Sequence, residues 1–131
     1  MIVDASAILA ILQNEPETVA MGKALLGAPI CRISPVNYVE AAVIADNNSN
    51  PALRRKLDDL LRDASISIET VTPKQAEIAR EAYRDFGKGR HKASLNLGDC
   101  FAYALAKEMR EPLLFKGNDF ARTDVEVVKL S

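Results

Sequence analysis

Four acidic residues stand out by where they fall. Asp4 ends the apolar run Met1-Ile2-Val3. Glu40 interrupts a helical stripe of valines at 36, 39 and 43. Asp99 precedes the apolar stretch Cys100-Phe101-Ala102-Tyr103-Ala104, and Asp119 follows Leu113-Leu114-Phe115 in a Gly-Asn-Asp loop. A carboxylate among residues that want burial is costly unless it has partners. Each acid also has an ordinary reading. Asp4 suits a helix N-cap, and Glu40 a solvated helix face. Asp99 suits a dipole-favoured first turn, and Asp119 a turn. Gathered at one end of a sheet, they repel one another and stay ionised together only beside cations. Oxygen ligands without Cys or His select Mg²⁺, with Mn²⁺ able to substitute. The chemistry such a cluster suits is metal-assisted phosphodiester hydrolysis, in which an activated water needs no side-chain nucleophile.

Other chemistries lack their residues. There is no GxGxxG, GxxxxGK[ST] or GxSxG pattern. One histidine and two cysteines without a CxxC offer too few soft ligands for zinc. Cys31 and Cys100 lie in apolar surroundings and read as buried thiols of a reducing compartment.

The chain has 131 residues, 48% of them hydrophobic, which is one domain (1–131) with a real core. The 17 basic and 18 acidic residues leave a net charge of −1 and exclude a polycation that binds nucleic acid by bulk charge. A local patch remains: Arg84, Lys88, Arg90, His91 and Lys92 cluster before Asp99 and suit phosphate contacts, or else form a solvated basic loop. Few aromatics are available for stacking, so any nucleic acid is expected to be read by shape and backbone rather than as a stacked bare strand. No apolar run approaches the roughly 20 residues of a membrane span. The N-terminus lacks a basic leader, and a cytoplasmic location is expected.

These acids need elements to carry them. Residues 1–4 read as a buried strand and 5–12 as a short helix. Pro16 opens a helix to about residue 26, and 29–33 is a second strand. Ser34-Pro35 is an N-cap and first helical residue, with Val36, Val39, Val43 and Ile44 on one stripe. Asn50-Pro51 opens a helix to about residue 63. Alternation over 66–70 marks a strand, and Thr72-Pro73 caps a helix to about Phe86. A basic loop, 87–96, leads to a helix over 97–110. Segments 112–115 and 125–128 are the last two strands. The prediction is an α/β three-layer sandwich with a mainly parallel five-stranded sheet flanked by helices.

In these stretches the chain resembles PIN-domain ribonucleases, and among them the VapC-type toxins of toxin–antitoxin pairs. The matching segments are MIVDASAI at 1–8, SPVNYVEA at 34–41, LNLGDCFAYA at 95–104 and KGNDFARTD at 116–124, in family order. The resemblance implies an endoribonuclease in which Asp4, Asp99 and Asp119 hold Mg²⁺ and Glu40 ligates or orients water. Ser6 and Asn96 match supporting positions. Many members carry an acid where this chain has Gly117, which leaves open whether Asp119 ligates directly. The family also implies tRNA or other structured RNA as substrate, a homodimer, and a VapB-type antitoxin that blocks the acidic pocket.

Two other classes compete. A phosphoacceptor receiver domain has a similar layout, but it should show paired acids after its first strand and an acceptor Asp after its third. Here Asp4 stands alone, and the third strand leads into Glu69-Thr70-Val71. A non-catalytic PIN-like scaffold keeps the fold and loses acids, whereas this chain retains Asp4, Glu40 and Asp99.

Overall fold

The computed structural model describes residues 1–130. Its sheet is built from very short strands, and their length follows from burial on both faces. β1 (Ile2–Val3) is central and fully buried. It pairs in parallel with β2 (Cys31–Ile33) and β4 (Leu113–Leu114), and β3 (Ile66–Ile68) pairs in parallel with β2, giving the order β3-β2-β1-β4. Alternation along the strands divides the interior in two. Val3 and Leu114 point into a core with Ile8, Met21, Leu25 and Leu57. Ile2 and Leu113 point the other way, onto Leu95, Cys100, Leu105 and Phe120.

Six α-helices cover these faces. They are α1 (Ala5–Leu12), α2 (Thr18–Gly27), α3 (Pro35–Asp46), α4 (Ala52–Asp63), α5 (Pro73–Phe86) and α6 (Leu97–Met109). Their starts are chemically explicit. Ser34 Oγ accepts from the Val36 N–H ahead of Pro35, and Thr72 Oγ1 accepts from the Gln75 N–H ahead of Pro73. Both cysteines are buried and free, and the Cys31 thiol donates to the Leu25 carbonyl.

The structure departs from expectation at two places. The sheet has four strands rather than five, because segment 125–128 meets β4 only through a bridge between Leu113 and Val127. β4 is two residues long, so it offers little ladder to extend. Helix α2 starts at Thr18 rather than Pro16. Residues 15–17 form a turn, pinned where the Thr18 hydroxyl donates to the Ala10 carbonyl. The apolar stripe of α3, which periodicity leaves free to form an exposed groove, does face outward: Val39 and Val43 are about half exposed, while Asn37, Ala41 and Ala45 pack inward.

Candidate active site

The carboxyl ends of β1 and β4 and the starts of α3 and α6 converge at one edge of the sheet. Parallel sheets place their sites at this edge. Asp4 leaves β1 and is 3% exposed. It caps α1, its Oδ2 accepting from the Ser6 N–H at 3.0 Å. The capping reading and the site reading therefore hold together. Burial raises its pKa above the usual carboxylate value, and the charge of Glu40 raises it further.

Glu40 is half-buried on α3. Fully buried Asn37, one turn earlier, donates from Nδ2 to Glu40 Oε1 at 2.9 Å and to the Gly98 carbonyl at 3.0 Å. One amide thus ties the Glu40 carboxylate to the first turn of α6. Glu40 lies so close to that turn that a Cβ on Gly98 would fall 2.3 Å from Oε2. Burial raises the pKa of Glu40, and Asp99 adds to the rise.

Asp99 closes a reciprocal cap on α6. Asn96 Oδ1 accepts from the Asp99 N–H at 2.8 Å, and Asp99 Oδ2 accepts from the Asn96 N–H at 3.0 Å. Asn96 supports the site through this cap. Despite the cap, burial and the charges of Asp4 and Asp119 push Asp99 up to about 6. Asp119 is exposed on the loop after β4, just before a short 3₁₀ turn (Phe120–Arg122). Ser6 joins the two strand ends: its Oγ accepts from the Lys116 N–H at 2.9 Å.

Field effects link Asp4 with Glu40, Glu40 with Asp99, and Asp99 with both Asp4 and Asp119. The four predicted acids are therefore within electrostatic reach of one another. Among the described residues, no Lys, Arg or His ion-pairs with any of them. Lys116, three residues before Asp119, is turned to Glu15 and Glu17 instead, and Arg122, three residues after it, donates to the Lys92 carbonyl. An all-oxygen set with uncompensated charge fits a hard divalent cation. As the side chains stand, no three of the acids are close enough to form a ready coordination set among the described residues.

Sequence reasoning missed Asn37 and Gly98 as parts of the site. The spacing of Asn37 three residues before Glu40 carried that signal. Arg84 is exposed and paired with Asp85. Arg90 faces a groove with Arg80 and Arg84. Lys88 and Lys92 are exposed. His91 is half-buried: its Nδ1 accepts from the Ala93 N–H, and its ring packs edge-on to Phe86. That imidazole shapes the loop.

An acidic cluster at the carboxyl edge of a four-stranded parallel sheet, with three helices capped beside it, defines a class of α/β domain with a candidate hydrolytic centre. The PIN domain family model matches residues 1–126. Ribonuclease VapC28 of Mycobacterium tuberculosis is 49% identical over 127 residues, covering 96% of each chain. Ribonuclease VapC of Mycolicibacterium smegmatis is 44% identical over 128 residues, covering 98% of this chain and 99% of its own. VapBC2 from Rickettsia felis, solved with a promoter DNA fragment, superposes with a TM-score of 0.77 at 14% identity over 99% of this chain and 98% of its own. The chain belongs to the PIN-domain family, in its VapC group.

Proposed function

We propose that this chain is a Mg²⁺-dependent endoribonuclease that acts as a toxin and is restrained by a VapB-type antitoxin. The observation that carries this reading is the cluster of Asp4, Glu40, Asp99 and Asp119 without a basic partner. The ribonuclease names of relatives at 44–49% identity support it. The receiver reading loses its ground: Glu69, after β3, is salt-bridged to Arg32 at 2.8 Å and is no free acceptor.

Asp4, Asp99 and Asp119 would hold the ion. Bound Mg²⁺, or Mn²⁺ in its place, supplies a Lewis acid and lowers the pKa of water. Asn37 fixes Oε1 of Glu40, which leaves Oε2 to orient the attacking water and take its proton. Ser6 fixes Asp4 from one side and the β4 loop from the other. Arg84, Lys88, Arg90 and Lys92 contact phosphates of the RNA at the rim.

Two exposed apolar faces suit protein partners. Val39, Val43 and Ile44 of α3 lie beside Glu40, and Val19 and Leu26 project from α2. We assign them to antitoxin and homodimer contacts, since an antitoxin segment on α3 would lie at the acidic edge. No helix among the described residues is long and apolar enough to cross a membrane. Free buried thiols and an RNA substrate fit a cytoplasmic location. Induced expression of the chain alone in a bacterial host tests the reading. Growth arrest with RNA fragmentation is expected, with neither in the Asp99→Asn variant. Equal arrest by both proteins would contradict it.

A further inference from the structure

Helices α5 and α6 enclose a groove of about 570 Å³. Three guanidinium groups, Arg80, Arg84 and Arg90, share it with Tyr83, Leu97 and Phe101. Tyr83 and Leu97 are 38% and 67% exposed. Among the described residues Arg84 is partly neutralised by Asp85, whereas Arg80 and Arg90 enter no ion pair. The groove therefore combines unpaired positive charge with two aromatic rings. Its position adds a third feature. Leu97 begins α6, two residues before Asp99, and Arg90 belongs to the loop that leads into that helix.

Arginines beside aromatic rings, here exposed Tyr83 and half-buried Phe101, are the chemistry of unpaired nucleotides. The guanidinium groups neutralise phosphates, and the rings stack on a base of any sequence. A paired base offers no free face to such a groove. We propose that the α5–α6 groove is a subsite for one unpaired nucleotide of the substrate RNA, next to the nucleotide whose phosphate lies at Asp99. It makes Arg80, Tyr83 and Phe101 determinants of where the RNA is cut, and it selects loops, bulges and single strands over continuous duplex. The inference rests on the ribonuclease reading above.

The test is binding of a short fluorescein-labelled RNA of mixed sequence, in EDTA so that the strand is not consumed. Arg80→Ala with Arg90→Ala is expected to weaken binding about tenfold and to reduce the salt slope by about 1.4, two phosphates at about 0.7 each on a single strand. Tyr83→Leu with Phe101→Leu, which keeps apolar bulk and removes the rings, is expected to weaken binding about tenfold with the slope unchanged. Quenching of a 2-aminopurine base in the strand should vanish in the same variant. Annealing the strand to its complement should remove the difference between wild type and the ring variant. Wild-type affinity in both variants, checked by thermal melting for intact folds, would overturn the subsite and leave the nuclease reading standing. A change of oligomeric state in the variants would overturn it too, by showing that another copy covers this face. A wild-type protein that neither binds nor cuts RNA would remove the nuclease reading and this subsite with it.

Discussion

Glu40 of α3 and Gly98 of α6 are in such close contact that a Cβ at position 98 would lie 2.3–2.5 Å from the Glu40 carboxyl group and force it to shift. The bare backbone at the second residue of α6 lets the carboxylate approach Asp99, and Asn37 holds it there. Gly98→Ala should thus displace Glu40 while α6, which favours alanine over glycine, remains formed. Cleavage should fall by about 100-fold, with circular dichroism unchanged. Undiminished cleavage in the alanine variant would show that the position of Glu40 is irrelevant.

The metal-free protein should be most stable in mild acid. Asp99 has its folded pKa raised from 3.8 to about 6. Between those values the folded state holds more protons than the unfolded state, so stability falls as pH rises through the window and stays low above it. Asp4 and Glu40 shift in the same direction. Asp99→Asn removes part of this repulsion. Discounted for partial solvent exposure, the gain should be about 1 kcal/mol near neutral pH. Thermal unfolding in EDTA at pH 5 and pH 8 measures it, and a less stable variant at pH 8 would argue against a crowded acidic site.

Adding Mg²⁺ should reverse that pH dependence. An ion bound only by the folded state stabilises it by about 2.7 kcal/mol at 100 times its Kd. The shift in melting temperature should be largest above pH 6, where Asp99 is ionised, and should be lost in Asp4→Asn. Equal shifts in wild type and variant would place the ion elsewhere.

Much of this site was legible in the sequence because its chemistry is local. Ser34-Pro35, Thr72-Pro73 and the Asn96–Asp99 pair carry their cap partners within three residues, and the structure places helix starts there. Asp4 was visible as a charge that ends a buried strand. The non-local features were not legible. Periodicity put Val36, Val39, Val43 and Ile44 on one face of α3 but could not say that α1 and α6 would pack on the opposite, small-residue face. Segment 125–128 reads as a strand in isolation, whereas its pairing is limited by the two residues of β4. Tyr83 and Phe101, 18 positions apart, become neighbours only when α5 and α6 pack, so the shortage of aromatics in the composition hid a local pair.

Ser6 joins the ends of β1 and β4 through one hydroxyl. Ser6→Ala should cost about 1 kcal/mol of stability for the lost hydrogen bond to Lys116. It should also loosen the loop that carries Asp119. Denaturant unfolding and cleavage kinetics together separate the two effects: a several-fold loss in kcat at a temperature where the variant is fully folded is expected. Wild-type kcat would show that the loop needs no such anchor.

The exposed face of α3 should be a protein contact. Val39→Glu with Val43→Glu changes two half-exposed side chains, so the fold should tolerate it. Light scattering should show loss of the proposed homodimer, or titration with a VapB-type antitoxin should show weakened binding. Retention of both would assign that face to neither partner.

A metal-dependent nuclease built on Asp4, Glu40, Asp99 and Asp119 should cleave total RNA and purified tRNA. Wild type and Asp4→Asn would be compared with Mg²⁺, with Mn²⁺ and with EDTA. Discrete RNA cleavage by wild type with either metal, and none in EDTA or by Asp4→Asn, is the predicted result. Cleavage that survives EDTA, or that Asp4→Asn performs as well as wild type, would contradict it.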